Sequence, residues 1–364
     1  MEYRTLPKGG EAISILGLGS SALGQAGEAE AQRTVELALE NGINYLDMAA
    51  GDASPFAAVG RALSGCRDSV YLQVHFGADY HTGQYGWTLD LEAIKRSVDW
   101  QLEALRTDKI DFGFLHCIDE EADWEAVQAR GTLDYLLQLR QEGVVRHIGL
   151  SSHTPAVAQA ALDRGVVEML MFSINPAYDR RQGEYAIGSQ EERQALYRRC
   201  EAEGVGISVM KAFGAGQLLD AKRSPFGQAL TEYQCIQYAL DQPGVLTVLP
   251  GVRGTADLEH LLGFFTASRE ARDYAALGNL TPRETQGACV YCNHCLPCPA
   301  GLDVGLINKY YDLALAGDSL ARDHYAHLDR RASDCVGCGH CDARCPFQVR
   351  QTERMAQIAA YFGA

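Results

Sequence analysis

Eight of the chain's twelve cysteines stand in two short motifs near its carboxyl end. In each motif two residues separate each of the first three cysteines from the next, and a fourth cysteine directly precedes a proline. Thiolates at this spacing are the usual ligands of [4Fe–4S] clusters. We therefore expect two such clusters, and we consider electron transfer first as the function. The candidate ligands are Cys289, Cys292, Cys295 and Cys298 in the first motif, and Cys335, Cys338, Cys341 and Cys345 in the second.

The two motifs differ at their fourth cysteine. In bacterial ferredoxins the run ends C-x3-C-P, and the fourth cysteine ligates the other cluster. The second motif keeps this ending at Cys345, whereas the first ends C-x2-C-P at Cys298. Crossed ligation is therefore an inference for Cys298. Zinc and disulfides are the alternatives, but zinc prefers two separated cysteine pairs and disulfides are rare in a reducing cytoplasm.

Composition restricts the partners and the location. The net charge of −15 would repel nucleic acid phosphates, and a hydrophobic fraction of 47% supports a full core. The first residues are polar, and no apolar run approaches the roughly 20 residues that a membrane span needs. We expect a cytoplasmic protein that acts on a small molecule, without nucleic acid or membrane partners. The other cysteines are predicted to be small core residues: Cys66, Cys117, Cys200 and Cys235.

Before the cysteine motifs, short apolar runs alternate with longer segments of helical periodicity. This pattern predicts a (β/α)8 barrel over residues 1–280 and then a smaller, mostly α-helical ferredoxin-like domain over 281–364, with the junction at 278–283. A doubly wound sheet is the alternative, but the run count and the absence of G-x-G-x-x-G after the first run disfavour it. The runs are Ile15–Gly19, Ile43–Asp47, Val70–His75, Ile110–His116, His147–Leu150, Met169–Ile174, Gly206–Met210 and Val245–Leu249.

Functional side chains of such a barrel gather at the carboxyl ends of its strands. Histidine titrates near neutral pH, so histidines at strand ends are natural acid–base groups. Each could also be a satisfied structural residue, but several polar groups at equivalent positions favour a site. The residues at these ends are Asp47, His75, His116, Ser151, Ser152, His153, Asn175, Lys211, Pro250 and Gly251.

The strand ends resemble, in order and spacing, those of the aldo-keto reductase family. A branch of that family also carries a C-terminal ferredoxin-like extension with C-x2-C-x2-C-x2-C-P, so the resemblance extends over nearly the whole chain. It implies a barrel fold and NADPH-dependent carbonyl reduction. The stretches that carry it are Asn44–Asp47, Asp111–His116, Ile148–Ser151, Met210–Gly216 and Pro250–Arg253.

The resemblance also implies four catalytic residues, and two of them differ here. Family members use an aspartate, a tyrosine that donates the proton, a lysine that lowers the tyrosine pKa, and a histidine. Asp47 and His116 fill the aspartate and histidine positions. The tyrosine position holds Asp52 and the lysine position holds His75. Ordinary carbonyl reduction is therefore in question.

Several groups could replace the missing proton donor. We rank His75 first, His116 second and a loop tyrosine, Tyr80 or Tyr85, third. His75 could pair with Asp47 in place of the usual lysine, and Asp52 would stay protonated only if burial or a like-charged neighbour such as Asp47 raised its pKa. The alternative is a pocket that has lost the family's chemistry. Cys117 should face the helices, because successive strand residues point to opposite faces.

A nucleotide site is expected at the last two loops of the barrel. Glycines near residue 215 allow close backbone approach, and Arg253, beside the predicted helix start at Thr255, could meet a 2′-phosphate. The Gly-rich stretch could instead be a simple turn. The resemblance implies NADP(H) and a nicotinamide held by Ser151, Ser152 and Asn175. The remaining candidates at this site are Lys211, Phe213, Gly214, Gly216 and Gly251.

The long segment between the motifs predicts helices over Gly301–Arg322, and a last helix is expected over Gln351–Tyr361. Nicotinamide passes two electrons as hydride, whereas each cluster passes one. A flavin would mediate this split, but no flavin signature is evident. One-electron substrate chemistry, or structural or sensing clusters, would also resolve it. We expect an iron–sulfur oxidoreductase acting on a small organic substrate, with a ferredoxin or flavodoxin as electron carrier. A ligand-binding regulatory or electron-transfer protein is the alternative.

Overall fold

The computed structural model describes residues 1–180, 183, 185–274, 289, 295–315, 320–345 and 349–363. Its main element is a sheet of eight parallel strands, each formed by one of the predicted apolar runs. The strands are β3 (Leu18–Gly19), β4 (Tyr45–Asp47), β5 (Tyr71–Phe76), β8 (Ile110–Leu115), β9 (Val145–Ser152), β10 (Met169–Ser173), β11 (Gly206–Met210) and β12 (Val245–Val248). Two short hairpins are added: β1 (Tyr3–Thr5) with β2 (Ala12–Ser14), and β6 (Ala78–Asp79) with β7 (Gly86–Trp87).

The sheet closes on itself. The eight strands pair in chain order from β3 to β12, and parallel bridges join Leu16 to Val248 and Gly19 to Gly251. Backbone hydrogen bonds from Gly17 to Val248 and from Val248 to Ile15, both 2.9 Å, complete the ring. The predicted barrel is confirmed, and the doubly wound alternative is excluded because that sheet would have two open edges.

Helices cover the outside of the barrel. Side-chain caps start several of them, as where Ser189 and Glu192 form a capping box. Two helices instead of one connect β8 with β9, because the chain turns at Gly131, whose φ of +83° is left-handed. The barrel helices are α1 (Glu28–Glu40), α2 (Ser54–Ala62), α3 (Leu91–Leu105), α4 (Glu121–Ala129), α5 (Thr132–Gln141), α6 (Pro155–Asp163), α7 (Gln190–Glu203), α8 (Glu232–Leu240), α9 (Thr255–Leu262) and α10 (Arg269–Arg272).

Large apolar side chains fill the barrel interior, so it is a packed core and not a channel. Buried polar groups gather towards the carboxyl ends of the strands, where the candidate site lies. At the opposite end the β1–β2 hairpin brings the buried Glu11 to His147, 3.0 Å from Oε1 to Nε2. The interior cluster contains Leu6, Ile13, Tyr45, Phe112, Phe114, Met169, Met171, Met210, Leu246 and Leu249.

The carboxyl-terminal region is helical, as predicted. Its helices are α11 (Val304–Leu315), α12 (Ala321–Ala326), α13 (His340–Arg344) and α14 (Gln351–Phe362). Leu313 and Ala321 pack against barrel-loop residues that include Tyr178 and Tyr185. The predicted junction at 278–283 lies outside the described residues. In the described ranges no helix is both long and apolar enough to cross a bilayer.

Candidate active site

The centre of the site is a hydrogen-bonded pair of side chains from two neighbouring strands. Asp47 ends β4 and His75 lies near the end of β5, and the His75 Nε2 is 2.7 Å from the Asp47 Oδ1. His75 is completely buried and Asp47 is 4% exposed. In this shielded setting the carboxylate accepts the Nε2–H of the ring, which leaves Nδ1 as the second functional atom. The structure therefore brings together the pair predicted to replace the lysine–aspartate pair.

Gln73 is a site residue that the sequence reasoning missed. Its Nε2 lies 3.0 Å from the Asp47 Oδ1, to which it donates. The amide is held in this orientation because the hydroxyls of Tyr45 and Ser208 donate to its Oε1, at 2.6 and 3.2 Å. A signal was available, since Gln73 precedes His75 by two residues and alternate strand residues share a face.

His116 extends this pair into the pocket. Its Nδ1 is 2.9 Å from the His75 Nδ1, so one ring donates to the other. Burial lowers the pKa of His116 well below its usual range, and the nearby His75 and His324 rings lower it further. A neutral His116 that donates through Nδ1 presents Nε2 as an acceptor. His75 and His116, at the ends of the neighbouring strands β5 and β8, thus form one hydrogen-bonded unit.

Of the two loop tyrosines, Tyr85 reaches the histidines. Its hydroxyl lies 2.9 Å from the His116 Nε2 and 3.3 Å from the Nε2 of His324, a residue of α12. Tyr80 instead donates to the carbonyl of Ala50 at 3.0 Å, and burial raises its pKa well above the usual value. Tyr80 is therefore placed as a structural residue.

Asp52, which the family resemblance put at the tyrosine position, lies away from the histidine unit. Its Oδ1 accepts the backbone N–H of Ser54 at 2.8 Å, next to the start of α2. It lines a shallow depression with Ser20, Gly24 and Pro55. The described contacts connect Asp52 with the α2 start and Gln84, and not with the histidine unit.

A small cavity of about 60 Å³ opens beside His116, and both regions of the chain line it. Cys117 is one of the lining residues, so the prediction that it faces the helices is wrong. The strand ends at Leu115, and the left-handed backbone of Cys117, with a φ of +52°, breaks the alternation. The barrel contributes Ala49, His116, Cys117, Asp119, Ser151, His153, Met171, Tyr185, Met210 and Lys211, and the helical region adds Lys309, Tyr310, Leu313, Leu320, Ala321 and His324.

Charged side chains from the barrel and from the helical region meet at the cavity. The Asp119 carboxylate accepts the backbone N–H of His153 at 2.6 Å and lies 2.9 Å from its Nδ1. Although burial would raise the pKa of Asp119, His153 and Lys309 together hold it below its usual range. The Lys309 ammonium is 3.7 Å from the same carboxylate. Cys117, Asp119 and His153 also place atoms that could ligate a metal within 4.8 Å of one another. The positive charge beside the Asp119 carboxylate is, however, already provided by the Lys309 ammonium.

The predicted nicotinamide residues shape the loops after β9, β10 and β11. The Asn175 amide donates to the Lys211 carbonyl at 2.9 Å, and its Oδ1 accepts the N–H groups of Ala177 and Tyr178. The Ser152 hydroxyl donates to Asp119 at 3.3 Å. Ser151 lines the cavity, and Phe213 is half-buried against the core.

The backbone from 214 to 216 has the open form that the glycines predicted. Gly214, Ala215 and Gly216 have consecutive φ values of +57°, +52° and +78°. Gly251 meets Gly19 in the bridge that closes the barrel. The role of these residues in nucleotide binding stays a prediction.

The charged side chains on the β11–β12 side of the barrel mouth fit a nucleotide poorly. The exposed Arg253 guanidinium donates to both carboxylate oxygens of Asp257, at 2.9 and 3.0 Å, and this pair lowers the pKa of Asp257. The N–H and hydroxyl of Thr255, at the start of α9, both donate to the Glu30 carboxylate, at 2.9 and 2.8 Å. These bonds lower the pKa of Glu30 to about 2. Both groups that would meet a phosphate thus already have an acidic partner.

The cysteines are arranged in two neighbourhoods. Five of them line one cavity: Cys295, Cys298, Cys335, Cys338 and Cys341. The other two described ligand candidates lie at the start of α14, where the Cys345 Sγ accepts the N–H of Val349 at 3.4 Å and the Cys289 Sγ accepts the Gln351 amide at 3.5 Å. Cys292 lies outside the described residues. A donor set of convergent thiols fits iron–sulfur clusters.

This fold and these cysteines define an oxidoreductase barrel joined to an iron–sulfur domain. Residues 15–232 match the model of the Aldo/keto reductase family, and residues 287–350 match a 4Fe-4S dicluster domain. Because the first match covers more than half of the chain, the chain belongs to the aldo/keto reductase family. It is an oxidoreductase of that type with a C-terminal 4Fe-4S dicluster domain.

Curated relatives agree with this assignment. The "Uncharacterized oxidoreductase YqkF" of Bacillus subtilis is 28% identical over 263 residues, which cover 66% of this chain and 83% of the relative. L-galactose dehydrogenase of Arabidopsis thaliana is 31% identical over 186 residues, but the match covers only 47% of this chain and 56% of the relative.

Solved structures show the same fold. The holo form of the aldo-keto reductase AKR11C1 from Bacillus halodurans has a TM-score of 0.61 and 25% identity, and the match covers 77% of this chain and 96% of that one. An aldo/keto reductase from Klebsiella pneumoniae in complex with NADP and acetate has a TM-score of 0.56 and 19% identity, with 77% and 95% covered. The latter likeness supports the fold alone.

Proposed function

We propose that this protein is a cluster-linked oxidoreductase that reduces or oxidises a small organic substrate in the cavity beside His116. The observation that carries the proposal is the continuous hydrogen-bonded unit of Asp47, His75 and His116, which ends in a cavity covered by the iron–sulfur domain. Acid–base groups on one wall and electron-transfer centres near the other are what proton-coupled redox chemistry needs.

The clusters, two in our proposal, would supply single electrons when bound. Cys295 and Cys298 both line the cavity that holds Cys335, Cys338 and Cys341. We assign Cys298 as the fourth ligand of their cluster because in bacterial ferredoxins the cysteine before the proline ligates the other cluster. Cys345 and Cys289 both contact the segment 349–351, and on this basis we group Cys345 with the first motif. These assignments make the ligation crossed in both directions despite the shorter spacing at Cys298.

The histidine unit would hold and move the proton. His75 keeps its Nε2–H on Asp47, and its Nδ1 accepts the Nδ1–H of His116. A proton taken up at the His116 Nε2 would make an imidazolium next to His75, whose charge Asp47 offsets through the shared ring. His116 faces the cavity, so it can exchange that proton with a bound substrate.

Electrons would come through an external carrier of the ferredoxin or flavodoxin type. The family neighbour in complex with NADP favours a nucleotide, and NADP(H) was our expectation from the sequence. In this chain, however, Arg253 is paired with Asp257 and Thr255 with Glu30. A nucleotide phosphate would have to displace both carboxylates, whereas cluster-linked supply requires no such rearrangement. We therefore assign no step to NADP(H) or to a flavin.

The test uses anaerobically prepared, iron-loaded protein whose clusters are reduced with stoichiometric dithionite. A panel of small aldehydes and vicinal diketones is then added, and cluster reoxidation is followed by visible absorbance. Reduction of each carbonyl to a hydroxyl consumes two electrons, one from each of two clusters, and two protons. We expect reoxidation by at least one compound, slowed about 100-fold by His116→Phe.

Three results would overturn the proposal. One is that no panel member reoxidises the clusters, which would favour a regulatory or ligand-binding role. Another is that His116→Phe reacts at the full rate. The third is that NADPH bleaches the oxidised clusters at a rate that matches turnover, which would return electron supply to the nucleotide.

A further inference from the structure

We infer that His324, a residue of the iron–sulfur domain, carries protons for the barrel site and is coupled to His116 through the hydroxyl of Tyr85. The inference rests on the proposed function, because it assumes that the His116 unit exchanges protons. It adds residues from the β6–β7 hairpin and from α12 to the chemistry of the barrel.

The three groups form a continuous buried path. The Tyr85 hydroxyl is 2.9 Å from the His116 Nε2 and 3.3 Å from the His324 Nε2. His116 is 3% exposed, and Tyr85 and His324 are each 9% exposed. With the inner pair, the path runs from Asp47 through His75, His116 and Tyr85 to His324, and all hydrogen-bond distances are 3.3 Å or less.

One arrangement of hydrogens satisfies the whole path. His75 donates Nε2–H to Asp47, His116 donates Nδ1–H to His75, Tyr85 donates its O–H to His116, and His324 donates Nε2–H to Tyr85. His75, His116 and Tyr85 each therefore accept one hydrogen bond and donate the next. Such a chain can pass a proton along by reversing these bonds in turn, without movement of the heavy atoms.

The geometry is held by contacts that are independent of the path. The His324 ring stacks on Tyr310, with 5.6 Å between centroids and 24° between planes, and packs against Trp87 at 5.4 Å. The backbone N–H of Trp87 donates to the Asp323 carboxylate at 2.6 Å, and its indole N–H donates to the His116 carbonyl at 3.2 Å. The hairpin thus fixes α12 and His116 relative to each other.

His324 also lines the cavity together with His116. A substrate there would lie between two histidines that share one phenol, and a proton lost from either ring could be replaced through Tyr85. This arrangement restores a tyrosine to the site, but from the loop after β5 and not from the position where the family has it.

The test repeats the reoxidation assay with variants of His324. His324→Gln can still hydrogen-bond to Tyr85 but cannot carry a proton, and we expect it to react about 10- to 100-fold more slowly. His324→Ala should be equally slow and should recover with added imidazole. Pyrazole has nearly the same shape but is far less basic, so it should not restore the rate. Cluster midpoint potentials, measured by EPR, should stay unchanged.

His327→Phe is the matched control. His327 lies on the same turn, also contacts Trp87 and is half-exposed, so its variant should stay within about twofold of the wild-type rate. The inference is overturned if His324→Gln reacts at the full rate, if pyrazole rescues as well as imidazole, or if altered potentials account for the slower reaction. A slow His116→Phe beside a normal His324→Gln would remove this inference alone. A normal His116→Phe would remove the proposed function as well.

Discussion

The two sides of the barrel mouth have diverged in opposite ways. On the side of β4, β5 and β8 the family resemblance predicts that two of the four catalytic residues are replaced, yet Asp47, His75 and His116 form one buried hydrogen-bonded unit. On the side of β11 and β12 the family-like stretches persist, but Arg253 and Thr255 are engaged by Asp257 and Glu30. A retained motif therefore does not establish a working site, and a lost one does not exclude it.

The largest effect should come from a pair of variants, one on each side. His75→Gln removes the ring that connects Asp47 with His116, and we expect cluster reoxidation by the carbonyl compounds to slow at least 100-fold. Arg253→Gln removes an exposed cation and should change the same rate by less than twofold. A similar loss of reoxidation rate in both variants would show that the two sides of the barrel mouth act together. The contrast drawn between them would then be wrong.

Removing the support of the histidine unit should weaken the fold. Gln73→Leu leaves the buried Tyr45 and Ser208 hydroxyls without their acceptor and removes a donor from Asp47. We expect the free energy of unfolding to fall by about 2–4 kcal/mol, measured by denaturant unfolding of the iron-loaded protein. Gln73→Glu is the companion variant: it keeps the acceptor but sets a second carboxylate against Asp47. If Gln73→Leu has the same free energy of unfolding as the wild type, the hydrogen bonds of Gln73 do not stabilise the fold.

The nucleotide side can be tested by removing its internal acids. Glu30→Gln combined with Asp257→Asn eliminates two negative charges next to Thr255 and Arg253, while both side chains keep their shape. We expect NADPH to bind about 10-fold more tightly to this double variant in anaerobic calorimetry. Glu36→Gln, on the same helix as Glu30, controls for the change in net charge. Equal affinity in the double variant and the wild type would contradict the view that these carboxylates occupy the phosphate site.

The smallest expected effect is on the pH dependence of stability. Thr255 lowers the pKa of Glu30 to about 2, whereas a free glutamate titrates at about 4.5. The folded state thus holds this proton less tightly than the unfolded state, so the stabilisation is complete above about pH 4.5 and is lost as the pH falls towards 2. Glu30→Gln should flatten this part of the stability profile. An unchanged slope would mean that the Glu30–Thr255 contact does not form in solution.

The fold could be predicted because its signals are local. Each strand is a short apolar run, and the cysteine spacing is contained within a few residues. The barrel and the iron–sulfur domain were therefore both predicted correctly. The Asp47–His75 pair was also predictable, since both residues end neighbouring strands. Cys117 was misplaced because alternation was continued one residue beyond the end of β8, where the backbone turns left-handed.

The missing part of the site depends on contacts between distant segments. His324 and Lys309 reach the cavity from helices about 200 residues after His116. The hydrophobic periodicity of these helices does not indicate where they pack on the barrel. The partner of Thr255 has the same origin, because Glu30 lies at the opposite end of the barrel sequence. Asp257, by contrast, lies only four residues after Arg253, so that pair is local in the sequence. Sequence patterns found the groups with suitable chemistry, but not which of them would already be neutralised.

The shared cavity has a consequence for how the protein matures. Lys309, Tyr310 and His324 belong to a region whose folding, like that of other small metal domains, is expected to depend on its metal. A chain made during iron shortage would then have a barrel without its second wall, and its histidines would face solvent. Iron supply would thus decide whether the pocket exists, so that newly made protein stays inactive until its cofactors are installed.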